Sequence, residues 1–221
     1  MSLLRRKDRI FIAGHKGMVG SAILRYFKRN NIFDNVILTC NKSELDLRDK
    51  VSVENWFKKN KPDIVIIAAA KVGGILANSE YPVEFLLDNL KIQNNLIESA
   101  YLNSSHRLMF LASSCIYPKL ANQPIREDYL LNGALEETNE YYAIAKIAGI
   151  KLCQAYRKQY SFDTISVMPT NLYGINDNYD LKSSHVIPAL IKKIHIAKIN
   201  NKDTILGITT GGDNILNYLI Y

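Results

Sequence analysis

A glycine-spaced turn between a short apolar strand and a helix constrains the fold of this chain more than any other feature. Residues 9–13 (Arg-Ile-Phe-Ile-Ala) form a β-rich run, and Gly14-His15-Lys16-Gly17-Met18-Val19-Gly20 follows at once. From Met18 to Asn30 the apolar residues recur with helical periodicity. A strand that turns through glycines into a helix lets the backbone approach a pyrophosphate, whose charge then lies at the helix N-terminus. A side chain at those positions would block the approach. The unit therefore predicts the first βα element of a dinucleotide-binding sheet.

The rest of the chain repeats the alternation. Strand patterns at 36–39, 64–70, 108–112 and 164–168 are separated by helical patterns at 51–60, 82–102 and 141–160, with a further helix at 185–200. Residues 64–70 are apolar without interruption, as in a parallel strand buried on both faces. Pro62 stops one helix, Pro169 closes the last of these strands, and a Pro-, Asn- and Gly-containing loop spans 117–139. Such alternation predicts an α/β fold with a doubly wound parallel sheet, Rossmann-like, joined by right-handed crossovers. We expect residues 1–174 to form the dinucleotide-binding domain and 175–221 part of a substrate-binding lobe. The stretch from Asp203 begins another strand pattern.

Composition narrows the function classes. The 221 residues are 48% hydrophobic and 22% charged, the balance of an ordinary globular protein. No apolar run is long enough to cross a bilayer, and the N-terminus carries no signal-peptide core. Cys40, Cys115 and Cys153 form no CxxC pair and leave an odd count, which argues against a disulfide framework or a bound metal and suits a reducing, cytoplasmic setting. The net charge of +7 raises the question of nucleic acid. Lys and Arg are spread along the chain, however, and aromatic residues are not interleaved with them as stacking platforms would require. Small anionic ligands, nucleotides and sugar diphosphates among them, fit the charge better.

The segment after the second strand bears on which dinucleotide is held. An NAD site usually places a carboxylate there for the ribose hydroxyls. Here the strand ends Thr39-Cys40-Asn41-Lys42, and Lys42 with Lys16 could neutralise a 2′-phosphate, so NADP(H) is the expected cofactor. Asp46 is open to two readings, an acceptor for adenine or a helix-capping acid.

Tyr142 and Lys146 stand four apart on a predicted helix and therefore share a face. An ammonium beside a phenol favours phenolate and is expected to lower the phenol pKa, tuning Tyr142 as a general acid. Ser113 falls at the carboxyl end of its strand, the edge where open α/β sheets hold ligands, and its hydroxyl could orient the same carbonyl oxygen. A chain with 13 Tyr in 221 residues and abundant Lys would contain about one Tyr-x-x-x-Lys by chance, and it contains one. The order of the parts carries the reading, not the motif alone. Cys153 falls on an apolar helical stripe and is assigned to the core, while Trp56 on a surface-type helix receives no role.

Six segments together resemble the GDP-L-fucose synthase family of extended short-chain dehydrogenases, whose glycine spacing also matches. They are Gly14–Ala22, Ala68–Gly74, Ser113–Lys119, Tyr142–Cys153, Met168–Gly174 and Ser184–Leu190, within a likeness covering roughly residues 9–200. The resemblance implies 3,5-epimerisation of GDP-4-keto-6-deoxy-D-mannose followed by NADPH-dependent reduction at C4. It implies Ser113, Tyr142 and Lys146 for reduction, with Cys115 and His185 as the acid–base pair of epimerisation. Around the cofactor it implies the glycine turn, Leu111, Ala112, Ser113, Ser114, Lys146, Pro169, Thr170, Asn171, Leu172 and His185. Val72, Gly73, Gly74 and Lys193 are implied for substrate, and a homodimer is implied through the helices 82–102 and 141–160.

The sequence also departs from the pattern. Family members continue for roughly a hundred residues more and carry Trp-Gly-Ser/Thr-Gly followed by Arg-Glu-Phe. Here Thr209 stands for the aromatic residue and Leu216 for the arginine. Lys16 replaces an arginine and so lacks its planar fork. A C-terminally truncated chain would leave apolar sheet and substrate cleft uncovered, with a cofactor-binding fold and weakened turnover as the expectation. Two other readings stay open: a different nucleotide-sugar epimerase or dehydratase, and a non-catalytic dinucleotide-binding remnant.

Overall fold

The computed structural model describes residues 7–30, 37–181, 183–208 and 215–219. Five parallel strands form the main sheet: β1 (Ile10–Ala13), β2 (Ile37–Leu38), β3 (Ile64–Ile67), β4 (Arg107–Leu111) and β5 (Asp163–Val167), in the order β2-β1-β3-β4-β5. Helices α1 (Met18–Arg29), α2 (Lys50–Asn60), α4 (Pro82–Leu102) and α5 (Glu140–Tyr160) make the crossovers, with a short α3 (Ile75–Glu80) ahead of α4. After β5 come α6 (Val186–Ile199) and an antiparallel pair, β6 (Thr204–Ile208) and β7 (Ile215–Leu219). The doubly wound parallel sheet expected from the sequence is the observed fold.

Alternation along the strands explains why helices cover both faces. Ile10, Ile12, Ile64 and Ile66 point to one side, where Ile23, Leu24 and Phe27 of α1 pack on them. Phe11, Val65, Ile67, Leu108 and Phe110 point to the other and bury against Val53 and Phe57 of α2, Leu96 and Ile97 of α4, and Ile147 and Ile150 of α5. Trp56 belongs to this second layer: it is half-buried with its ring 4.2 Å from that of Phe11, so it is a core residue and not a surface one. Cys153 is buried in the same layer, as expected.

Two strands are shorter than the sequence pattern suggests. β3 ends at Ile67, because the Ala68 amide makes the last bond to β1, on the Ala13 carbonyl, and the chain then packs beneath the glycine turn. β2 is reduced to Ile37–Leu38, and Val36 lies outside the described residues. α3 was not expected. Its start is fixed by Asn78, which is buried and donates to the carbonyls of Gly73 and Gly74.

Asp46 does not cap a helix. Its carboxylate takes Arg48 in a two-pronged pair at 2.7 Å, and Arg48 bridges on to Asp88 of α4 at 3.1 Å. That hydrogen-bonded guanidinium holds the Asp46 carboxyl down at about 2. The cap of α2 is Asp49, which accepts the Val51 amide.

Candidate active site

The strand order reverses beside β1, so the glycine turn opens at the switch point where doubly wound sheets hold nucleotides. Gly14 has φ +86°, and a Cβ there would lie 2.6 Å from the Ala69 amide nitrogen behind it. At Gly20 a Cβ would run into the Gly14 carbonyl, so glycine alone lets α1 start this close to the turn. The Gly17 amide closes the turn on Gly14, and no side chain caps α1. Its first amides therefore face the crevice as donors for an anion. His15 is half-buried and Lys16 exposed in the turn; burial first, then the Lys16 charge, depresses the His15 pKa, while Glu44 opposes them. Lys42 is exposed in the loop after β2.

At the far end of the crevice, β4 delivers Leu111, Ala112, Ser113 and Ser114, the last opening a 3-10 turn that carries Cys115. Lys146, one helical turn after Tyr142, reaches back from α5 and is 3% exposed. Its Nζ donates to the Leu111 carbonyl at 2.8 Å and lies 4.8 Å from the Phe110 ring centroid and 5.7 Å from that of Tyr142. Burial lowers its pKa to about 8. The half-buried Cys115 thiol is raised by burial, against which a Ser113 hydrogen bond and the Lys146 charge both pull. Ser113, Cys115, Tyr142 and Lys146 thus converge, as the sequence led us to expect.

The Tyr142 phenol behaves differently from the expectation. Its pKa is pushed up, first by burial and then by the Cys115 charge, and the lysine does not bring it down. The physical reason is depth: with both groups out of water, the neutral forms of each are favoured, and Lys146 spends its ammonium on the Leu111 carbonyl. A neutral phenol at neutral pH is a proton donor.

His185 is exposed at the N-cap of α6, and its neighbours tie it to the site wall. The Gly74 amide donates to the Ser183 carbonyl at 2.9 Å, and a Cβ on Gly73 would stand 3.0 Å from the Phe85 ring. Phe85 in turn is edge-on to Tyr142, centroids 6.4 Å apart. Val72 is exposed on this loop, and Lys193 is half-buried on α6. Pro169 is half-buried after β5, with Thr170, Asn171 and Leu172 exposed beyond it. Asn176, a few residues on, donates to the Ser21 hydroxyl of α1 at 3.1 Å, so this loop crosses from the end of β5 to the helix that follows the glycine turn. The Thr209 segment lies outside the described residues.

Sequence reasoning missed two residues that shape this wall. Asn89, 2% exposed, donates to the Lys71 and Phe85 carbonyls and accepts the Lys71 amide, fixing the loop that carries Val72 to Gly74. Phe85 sits one turn before it. The available signal was the i, i+4 series Phe85, Asn89, Gln93, in which an aromatic residue and two amides share the face of α4 that the fold buries.

Comparison with known proteins places the chain. The sequence pattern of the NAD dependent epimerase/dehydratase family matches residues 10–218. The chain belongs to that family. A GDP-L-fucose synthase of Sinorhizobium fredii is 58% identical over 87% of this chain, which spans 60% of that protein. One from Escherichia coli is 53% identical over 88% of the chain and 60% of its own length. A solved GDP-L-fucose synthetase from Naegleria fowleri bound to NADP superposes with a TM-score of 0.84 at 30% identity, covering 95% of this chain and 67% of the other. The chain thus spans about three-fifths of the curated relatives it matches. The glycine turn after β1 and Ser113 after β4 lie at the same, carboxyl edge of its parallel sheet.

Proposed function

We propose that the protein takes part in GDP-L-fucose synthesis: epimerisation of GDP-4-keto-6-deoxy-D-mannose at C3 and C5, then reduction at C4. The observation that carries this reading is the company of Cys115. A thiol in contact with the Ser113 hydroxyl, and electrostatically coupled to Tyr142 and Lys146, adds a proton-moving group to the reducing trio. The relatives' names point the same way.

The glycine turn, Lys16, Lys42, Lys146 and the 169–172 loop would hold NADP(H), and the close backbone packing that Gly14 and Gly20 permit leaves the first amides of α1 free to meet a pyrophosphate. When bound, the cofactor supplies hydride. The residues do the rest. Protons on the carbons flanking a 4-keto group are acidic because the charge left behind delocalises onto O4. Ser113 and Tyr142 stabilise that oxygen by hydrogen bonds. Cys115 and His185 remove and return protons at C3 and C5 from opposite sides. The Tyr142 phenol, kept protonated by burial, then gives its proton to O4 during reduction. Lys146 holds the Leu111 carbonyl and so fixes the strand end that presents Ser113.

A homodimer through α4 and α5 and a cytoplasmic setting complete the reading. Leu90, Asn94, Ala148 and Leu152 line a groove between these two helices that faces outward. No helix among the described residues is long and apolar enough to cross a membrane. The test is product analysis with NADPH and the 4-keto sugar nucleotide. GDP-L-fucose formed with stoichiometric NADPH oxidation supports the proposal. A product altered only at C4, or a dehydrated sugar with no net NADPH consumed, would transfer the chain to another nucleotide-sugar reaction.

A further inference from the structure

One polar side chain in the wall of the site is bonded in a way that stability does not explain. Asn78, 6% exposed on α3, donates its Nδ2 to the Gly73 carbonyl at 2.9 Å and to the Gly74 carbonyl at 3.0 Å. Its Oδ1 is buried with no hydrogen-bond partner among the described residues. The Gly74 carbonyl does not need the side chain, since it already accepts the Asn78 backbone amide at 3.1 Å. An interior carboxamide left half-unpaired costs stability, so its use lies in what the bonded loop does.

That loop is a strut between two walls, with no slack on either side. Gly73 abuts α3 and α4: a Cβ there would stand 3.0 Å from the Phe85 ring and 3.1 Å from the Ala77 methyl. Gly74 abuts the segment ahead of α6: a Cβ there would lie 2.5 Å from the Ser184 carbonyl oxygen, and its amide donates to the Ser183 carbonyl at 2.9 Å. The Ser183 and Ser184 amides turn back onto the Asp180 carbonyl. His185 follows at once, and its carbonyl accepts the Ala189 amide in the first turn of α6. Among the described residues nothing hydrogen-bonds the His185 imidazole, so its aim is set by the backbone that carries it.

We infer that Asn78 is a positioning residue for proton transfer by His185. By clamping the Gly73 and Gly74 carbonyls it sets the Gly74 amide against Ser183, and through that bond it fixes where the imidazole meets the sugar. This rests on the epimerase reading of His185 and adds to it a residue that acts through the backbone. A proton-transfer group displaced by about 1 Å loses on the order of a hundredfold in rate, so a small slip of the strut is enough.

A double-mutant cycle with His185→Gln is the test. Asn78→Leu, close in volume, removes the donation and the unpaired oxygen together and leaves the Gly74 carbonyl on the backbone amide. Inversion is followed as deuterium entering C3 and C5 of GDP-4-keto-6-deoxy-D-mannose in heavy water without NADPH, the stereoisomers being resolved by nuclear magnetic resonance. Expected in the wild-type background is a fall in inversion of about ten- to hundredfold, and in the His185→Gln background a further fall of less than about twofold. A purely structural residue would cost the same in both backgrounds. Equal losses in the two, or no loss in the first, overturn the proposal. Should Asn78→Leu fail to fold by circular dichroism, Asn78→Ser takes its place in the same cycle with the same expectations. Wild type that takes up no deuterium at C3 or C5 is a separate result, and it brings down the epimerase reading itself.

Discussion

At Lys146 an ammonium has been withdrawn from water and left with one carbonyl and two aromatic faces, and its pKa of about 8 records the loss. The consequence for stability follows from proton counts. Between about 8 and the ordinary lysine value of 10.5 the unfolded chain holds a proton at this lysine that the folded chain has released, so stability rises with pH across that window. Raised thiols and the raised Tyr142 phenol act oppositely at higher pH. The difference between wild type and Lys146→Met in urea titrations isolates the term: wild type should gain on the variant from about pH 8 to about pH 10.5. A flat difference would remove the burial argument. Tyr142→Phe should cost about 10²- to 10⁴-fold in the reduction step, measured by NADPH oxidation, while nucleotide binding by calorimetry stays intact. The identity of these residues was legible from spacing and order along the chain. The direction of the phenol's shift was not, because it depends on how deeply β4 and α5 bury the pair, a tertiary quantity that a Tyr-x-x-x-Lys spacing does not carry.

Among the elements, α4 and α5 do most to aim the site, and each does so through one unusual residue. Asn89 bonds three backbone groups with one carboxamide; Asn89→Leu strips the Lys71 amide and carbonyl of this partner and should cost about 2–4 kcal/mol in denaturant unfolding. Gly149 lets α5 lie directly on the sheet. A Cβ there would meet the Phe110 ring and stand 2.9 Å from Gln93 Oε1, so Gly149→Ala should destabilise by about 1–3 kcal/mol and displace the turn bearing Tyr142 and Lys146. Its signature would be a loss of turnover larger than the loss of nucleotide affinity. Helix and strand positions were readable from periodicity, since β1 and β3 bury both faces and α4 runs between Pro82 and Leu102 as its pattern suggested. Strand ends and α3 were not. β3 stops where the Gly14 turn takes over its last residues, and α3 exists because Asn78 ties back to Gly73 and Gly74. Both are contacts between segments far apart or locally nonperiodic.

For the molecule as a whole, the net charge of +7 should quicken capture of anionic nucleotides, and the association rate in stopped flow should fall as ionic strength rises. If α4 and α5 are the pairing face, Ala148→Glu should shift the mass seen by light scattering from two chains to one without altering the far-ultraviolet dichroism. The two halves of the sheet are finished unequally. Beside β1 and β3, α1 seals one face, whereas on the same side Met109 and Leu111 of β4 are half-buried and Ile165 and Val167 of β5 are 38% and 39% exposed. Such an oily panel is indifferent in dilute solution and adhesive in concentrated solution. Purified material should bind hydrophobic fluorescent dyes while still folded, cloud first on salting out, and keep longer under mild detergent than in buffer alone.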